Sequence, residues 1–182
     1  GDRAALEANL HEVAVAAAAR DGDEARFEQF RRLAREEREP ALLRRYRLAA
    51  GHFEEPALVR RGVELAFGDE IPLQDLASYA AVLLANRAAA PVFWERLQAG
   101  WGPLQARLAD APLLQRRVIE ALGSLTTRRQ LAEVRSFLAT HEIPAARQAV
   151  LQTLERLGQD VDLWERIGPE VGAWLGARGE RG

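Results

Sequence analysis

The chain has 182 residues, of which 48% are hydrophobic, 29% charged and 7% aromatic. This composition is that of a globular protein and excludes a disordered or collagen-like chain. The net charge of −2 argues against nucleic acid or an anionic membrane surface as a partner. Cysteine is absent, which excludes disulfides, thiolate metal sites and cysteine nucleophiles.

Methionine and lysine are also absent, so all 25 basic residues are arginine. Because translation starts with methionine, we expect the chain to be a piece of a longer polypeptide. The longest apolar run, residues 13–19, is about a third of the roughly 20 residues that a membrane-spanning helix needs, and no secretory signal precedes it. We therefore predict no membrane partner and a cytoplasmic location.

Apolar residues recur at three- and four-residue steps along almost the whole chain, which predicts amphipathic helices. In chain order, such faces are Phe27, Phe30, Leu33 and Ala34; Leu43, Tyr46 and Ala50; Leu76, Tyr79, Ala80, Leu83 and Leu84; Leu114, Val118, Ala121, Leu122 and Leu125; Leu131, Val134, Phe137 and Leu138; and Val150, Leu151, Leu154 and Leu157. No segment alternates as a half-buried strand would. The fold class is therefore predicted to be all-α.

Prolines and glycines separate these faces. The prolines predicted to lie at or near helix starts are Pro40, Pro56, Pro72, Pro91, Pro103, Pro112 and Pro144, and the glycines predicted to end helices are Gly51, Gly68, Gly123 and Gly158. Thr127 and Gln130 have the spacing of a capping box at the start of a helix. The short helices and short turns predict an irregular HEAT-like superhelix of about ten antiparallel helices.

The same pattern predicts one helical repeat domain over residues 1–176. Residues 1–22 are expected to form a lead-in helix. The glycine-rich end, residues 177–182, is expected to be a flexible tail.

No residue pattern in the chain predicts catalysis or metal binding. A zinc-protease helix needs His-Glu-x-x-His, but His11 is followed four residues later by Val15, and His141 by Ala145. No serine lies in a Gly-x-Ser-x-Gly turn. We therefore predict no catalytic residue, no metal ligand and no cofactor in this chain.

Paired arginines are the most conspicuous charged feature. Five arginine pairs are candidates for contacts with peptide carboxylates, because guanidinium pairs with carboxylate bidentately: Arg31–Arg32, Arg44–Arg45, Arg60–Arg61, Arg116–Arg117 and Arg128–Arg129. Of these we assign the contacts to Arg116, Arg117, Arg128 and Arg129. The alternative is that these arginines form solvated ion pairs, which contribute only about 0–1 kcal/mol each.

Several stretches resemble the C-terminal domain of aminopeptidase N-like zinc aminopeptidases, a group that includes puromycin-sensitive and endoplasmic-reticulum aminopeptidases. Residues 93–101, Phe-Trp-Glu-Arg-Leu-Gln-Ala-Gly-Trp, resemble the family's a-W-x-f-l-r-x-n-W signature. Residues 68–75 resemble its turn into a helix, and Asn86 its interhelical asparagine. Residues 126–138 and 161–175 are similar to two further signatures. The side chains that carry the resemblance are Trp94, Trp101, Leu131, Glu133, Val134, Phe137 and Trp174.

The resemblance extends over residues 23–175, with two departures. Leu163-Trp164 stands where the family more often has Trp-Leu, and residues 88–90 are alanines where Asn-Pro-x-Gly is commoner.

The resemblance implies a non-catalytic C-terminal domain of a bacterial zinc aminopeptidase, which closes over the catalytic domain of the same polypeptide and shapes the access of peptide substrates. Zinc is then expected in the parent enzyme only. An apolar patch should remain exposed where the rest of the enzyme docks. The alternative is a stand-alone HEAT-like helical-repeat module that binds other proteins.

Overall fold

The computed structural model describes residues 8–179, and this range is helical without a β-strand. Its α-helices are α1 (Ala8–Arg20), α2 (Glu24–Glu36), α3 (Pro40–Ala49), α4 (Pro56–Phe67), α5 (Leu73–Ala85), α6 (Ala89–Ala99), α7 (Trp101–Arg107), α8 (Pro112–Ala121), α9 (Arg128–Thr140) and α10 (Arg147–Gly179). Short 3-10 turns at Leu122–Ser124 and Pro144–Ala146 precede α9 and α10. The all-α prediction is confirmed, while the HEAT-like superhelix stays a prediction.

Local sequence determines where several helices begin. Pro40 and Pro56 occupy the first positions of α3 and α4, where the missing backbone N–H has no helical partner to lose. The predicted capping box is present at the start of α9: the Thr127 hydroxyl accepts a hydrogen bond from the Gln130 backbone, and the Gln130 side chain accepts one from the Thr127 backbone.

Helix α5 lies at the centre of the core. It packs against α3, α4, α6 and α8, and Leu76, Tyr79 and Leu83 are each no more than 1% exposed. The Tyr79 hydroxyl donates a 2.8 Å hydrogen bond to the Gly62 carbonyl of α4. Burial raises the pKa of Tyr79 above its usual value, which favours the protonated hydroxyl that donates this hydrogen bond.

Helix α10 is longer than the sequence predicts. The prediction that Gly158 ends a helix is wrong, because α10 continues through it to Gly179. One glycine lowers helix stability by about 1 kcal/mol relative to alanine. Packing outweighs this loss, since Leu157 and Val161 are completely buried on either side of the glycine.

The predicted ends of the chain also differ from the observed helix bounds. The predicted tail, residues 177–182, begins inside α10, and residues 180–182 lie outside the described range. The predicted lead-in helix corresponds to α1, and residues 1–7 likewise lie outside that range.

Candidate functional site

Arg128, one of the four arginines predicted to bind peptide carboxylates, joins two helices of its own chain. Its Nη2 atom lies 2.5 Å from Asp162 Oδ1 and 2.5 Å from Glu165 Oε2, so the start of α9 is tied to the middle of α10. The hydrogen bonds to Glu165 and Asp162 raise the pKa of Arg128 above its usual value. Its guanidinium is therefore already occupied by carboxylates.

The other three predicted arginines differ in how available they are. Arg129 Nε donates to Glu133 at 2.9 Å, and Arg116 Nε donates to Glu120 at 2.7 Å, each one helical turn away. The Arg117 side chain is exposed and has no described contact with another side chain. None of the four lines the cavity between α2, α3 and the turn that follows α4.

The two tryptophans of the 93–101 signature meet on one aromatic ring. The helix that could have joined them breaks at Gly100, yet both indoles pack edge-on against Phe137 of α9, with ring centroids 5.4 Å away for Trp94 and 5.5 Å away for Trp101. On another side of Phe137, the His141 ring is stacked at 4.3 Å. Phe137 thus connects α6, α7 and the end of α9.

Glu133 completes this cluster. Its Oε2 atom accepts a 2.9 Å hydrogen bond from the Trp94 indole N–H, while its Oε1 atom accepts one from Arg129. The Trp101 indole N–H is buried without a hydrogen-bond partner within the described part of the chain. The signature residues in this cluster therefore join helices to one another and do not line an open site.

A cavity of about 320 Å³ opens between α2, α3 and the turn that follows α4. Its apolar lining is Ala34, Leu43, Tyr46, Ala50, Leu65 and Ile71, and its charged lining is Arg31, Arg35, Arg47 and Glu70. Three guanidinium groups and one carboxylate line the cavity, and the carboxylates of Glu28 and Asp75 bind Arg31 and Arg47 from outside it. A ligand with an apolar body and an anionic end fits this combination.

The three arginines of this cavity differ in how closely carboxylates bind them. Arg31 Nε donates to Glu70 at 3.1 Å and Arg31 Nη1 donates to Glu28 at 2.8 Å. The hydrogen bond to Glu70 is the main cause of the raised pKa of Arg31. Arg35 lies 3.7 Å from Glu70 and its side chain is 58% exposed, so its guanidinium is the most available of the three.

Asp75 positions the cavity's third arginine. This aspartate is only 5% exposed, and its two carboxylate oxygens accept hydrogen bonds from Arg44 Nε at 3.1 Å and Arg47 Nη1 at 3.0 Å. Arg44 also donates to the Ser78 hydroxyl at 2.6 Å. The buried carboxylate therefore fixes two guanidinium groups of α3 against the start of α5.

A sequence model of the family described as "ERAP1-like C-terminal domain" matches residues 1–159. The chain belongs to this family. The family is that of the non-catalytic C-terminal domain of ERAP1-like aminopeptidases. A search of curated proteins finds no match to the chain. Residues 161–175, which include Trp174, lie beyond the matched residues. For this run the relation to the family is a resemblance only.

Sequence reasoning named Arg31 among its arginine pairs but missed Arg35, Arg47 and the cavity that brings the three together in this ERAP1-like domain. Its two anchoring acids, Glu70 and Asp75, lie in the 68–75 stretch on which the resemblance partly depends, but their arginines are 28 to 39 residues away along the chain. The available signal is the recurrence of acids at the start of α5 and in the turn before it, downstream of two arginine-rich helices, α2 and α3.

Asn86 has a structural role in the ERAP1-like domain. It is 8% exposed, and its side-chain amide donates to the carbonyls of Gly51 at 3.0 Å and Phe53 at 2.8 Å. Its Oδ1 atom accepts from the Ala88 backbone at 3.0 Å. Asn86 thereby joins the α5–α6 turn to the α3–α4 loop, as expected for an interhelical asparagine.

Large apolar side chains are exposed on two surfaces of the described range. The α1 outer face consists of Leu10, Val13, Ala14, Ala17 and Ala18, with Leu10 55% and Val13 66% exposed. The α10 extension, residues 162–177, is the second surface, and its most exposed large side chains are Leu163, Trp164, Val171, Trp174 and Leu175.

Two absences hold for residues 8–179. No group of three or more histidine, aspartate or glutamate side chains within this range is arranged to hold a metal ion. None of its helices combines the length and apolar character that crossing a membrane requires.

Proposed function

We propose that this ERAP1-like domain closes over the catalytic domain of a zinc-dependent aminopeptidase, to which it is covalently joined, and limits which peptides reach the active site. The observation that carries this proposal is the family match over residues 1–159. In this proposal the zinc and the reacting groups belong to the catalytic domain. A bacterial parent enzyme and a cytoplasmic location are part of the same proposal.

The arginine-lined cavity is the place where we expect a peptide carboxylate to bind. The guanidinium of Arg35 is the most accessible cation of the lining, and the apolar floor around Tyr46 and Ile71 suits an apolar side chain. Arg117 remains a second candidate, because its guanidinium has no described partner. Arg116, Arg128 and Arg129 are weaker candidates, since acidic side chains already bind them.

The α1 outer face is the surface where we expect the preceding part of the polypeptide to dock. Ala19 on the inner side of α1 is completely buried, while Leu10 and Val13 on the outer side are more than half exposed. A helix that is apolar on both sides is normally buried on both. A preceding helical element packed on α1 would satisfy this requirement.

One experiment tests the non-catalytic role. The 182-residue chain is assayed with aminoacyl-nitroanilide substrates in the presence of added zinc, and we expect no turnover. Appreciable cleavage would contradict the proposal. If the parent gene encodes no His-Glu-x-x-His helix upstream, the alternative of a stand-alone helical-repeat interaction module replaces it.

A second experiment tests the cavity. A short peptide that ends in leucine is titrated into the chain by calorimetry, both as the free acid and as the C-terminal amide. We expect the amide and the Arg35→Gln variant each to lower the affinity by about tenfold. Arg32→Gln is the matched control, because Arg32 is exposed on the same helix but does not line the cavity. Equal binding of acid and amide would contradict a carboxylate site.

A further inference from the structure

The α10 extension projects from the body of the domain. Beyond the buried Val161, residues 162–177 are exposed or half-buried, which corresponds to about 24 Å of helix at 1.5 Å per residue. The contacts of Asp162 and Glu165 with Arg128 hold the base of the extension. The extension therefore has a fixed base, and its side chains are more exposed than those of the preceding part of α10.

One side of this extension is apolar. At 100° per residue, its large apolar residues fall within about 120° of the helix circumference, as in an amphipathic helix that faces another helix. They are Leu163, Trp164, Ile167, Val171, Trp174 and Leu175. Trp164 and Trp174 are each 54% exposed. At the same 100° per residue, the buried Leu157 lies at the edge of this stripe and the buried Val161 about 40° outside it, so the stripe adjoins the core-facing side of α10.

The order of apolar residues along this stripe is symmetric about Pro169. Trp164 and Trp174 are equally far from this proline, and so are Ile167 and Val171. Leu163 and Leu175 extend the symmetry outward. A sequence that reads the same in both directions presents the same surface to an antiparallel copy of itself.

We propose that a second copy of this chain docks on the stripe, antiparallel and related by a two-fold axis near Pro169. Trp164 of one copy then lies level with Trp174 of the other, and Ile167 lies level with Val171. The four positions follow the three- and four-residue spacing of the two core positions of a heptad repeat. In a two-fold interface each residue pair occurs twice, which accounts for the symmetry of the sequence.

Gly168 lies beside the stripe, where a small residue favours close approach of the two helices. A Cβ atom built at Gly168, Gly172 or Gly176 meets nothing within 4 Å, so packing within the chain does not require these glycines. Across an antiparallel pair, Gly168 lies level with Glu170 of the other copy. Gly168 therefore leaves room for the larger Glu170 side chain at the edge of the interface.

The area of the stripe suits a modest but specific dimer. Two half-exposed tryptophans and four aliphatic side chains bury on the order of 500 Å² per chain, and thus about 1,000 Å² in the pair, which is near the lower limit for specific interfaces. Docking of a catalytic domain or of another protein would not explain the symmetric order of residues, whereas docking of a second copy explains it.

The association is tested by sedimentation equilibrium of the full chain. We expect a monomer–dimer equilibrium, and we expect Trp164→Ala to weaken it by about tenfold or more. Leu113→Ala is the control, because Leu113 is 58% exposed outside the stripe. Circular dichroism checks that each variant stays folded. A chain that remains monomeric throughout, or a dimer that only Leu10 and Val13 variants dissociate, would overturn the proposal.

The antiparallel register is tested by cross-linking, for which the absence of native cysteine is convenient. Leu163→Cys and Leu175→Cys chains are treated with a short bis-maleimide, separately and as a mixture. We expect a cross-linked dimer only in the mixture, because identical positions in an antiparallel pair are about 18 Å apart along the helix axis. Efficient cross-linking of either variant alone would indicate a parallel pair and overturn the register. Neither test involves peptide binding or catalysis, so both are independent of the proposed function.

Discussion

The indole N–H of Trp94 on α6 donates a 2.9 Å hydrogen bond to the carboxylate of Glu133 on α9. Trp94 is 4% exposed, so its N–H has no ready access to water if the acceptor is removed. We expect Glu133→Ala to lower the free energy of unfolding by about 1–3 kcal/mol, because it leaves a buried donor unsatisfied. Urea denaturation of the chain measures this change.

The control for this prediction is Arg129→Ala, which removes the other partner of Glu133. The Arg129 side chain is 87% exposed, and we expect a change of no more than about 0.5 kcal/mol. Glu133→Gln keeps an acceptor oxygen and should recover part of the lost stability. Equal destabilisation by Glu133→Ala and Arg129→Ala would show that the indole hydrogen bond is not the decisive contact.

Two glycines within helices should respond in opposite directions to replacement by alanine. A Cβ atom at Gly62 would lie 2.6 Å from the Ala50 carbonyl oxygen, a backbone atom that cannot move independently. We therefore expect Gly62→Ala to destabilise the chain by about 2 kcal/mol or more. A Cβ atom at Gly158 meets nothing within 4 Å, so Gly158→Ala should stabilise α10 by about 0.5–1 kcal/mol.

Thermal unfolding of the two alanine variants beside the wild type distinguishes them. Each variant serves as the control of the other, since both add one methyl group at a helical position. A higher melting temperature for Gly62→Ala than for Gly158→Ala would contradict the close approach of α3 and α4.

The buried carboxylate of Asp75 should be the most sensitive acidic position in the domain. Asp75→Ala leaves Arg47, whose side chain is 22% exposed, without its described carboxylate partner. We expect a loss of about 3 kcal/mol, as for other half-broken buried ion pairs. Asp69→Ala is the control, because Asp69 is exposed in the preceding turn. Similar unfolding midpoints for the two variants in urea would contradict a structural role for Asp75.

Much of the helical fold could be predicted from local sequence. The apolar spacing of Leu76, Leu83 and Tyr79 correctly indicates the buried face of α5, and the capping box at Thr127 correctly marks the start of α9. These features depend on residues within one or two helical turns. The same reasoning failed at Gly158, because the stability of α10 there comes from tertiary packing that no local pattern contains.

The candidate site could not be predicted for the same physical reason. Each arginine of the cavity becomes a site residue through a distant partner, as Arg31 does through Glu70, 39 residues further along the chain. Arginine pairs in the sequence do not distinguish these from Arg128, whose guanidinium is used to join α9 to α10. Which arginine faces a cavity depends on helix packing, and the sequence indicates only that arginines are plentiful.

The stability of the domain should fall as the pH is lowered through the range in which free histidine titrates. His52 is half-buried and lies near Arg20 and Glu12. Burial, together with the positive charge of Arg20, lowers the pKa of His52 below the usual 6.5. The negative charge of Glu12 offsets this lowering only in part. The unfolded chain therefore binds more protons than the folded chain between the lowered value and about 6.5, so acidification in this window favours unfolding. His52→Gln should flatten this dependence, and Arg20→Gln should reduce it.

The measurement is the free energy of unfolding in urea at several pH values from about 8 to 5 for the wild type and both variants. The carboxylates whose pKa is lowered, Glu28, Glu55 and Glu165, keep their full stabilisation above the usual value of 4.5, and they lose it only at lower pH. Any slope that His52→Gln removes in this window therefore comes from the histidine. An unchanged slope in that variant would show that burial and Arg20 do not disfavour the protonated ring.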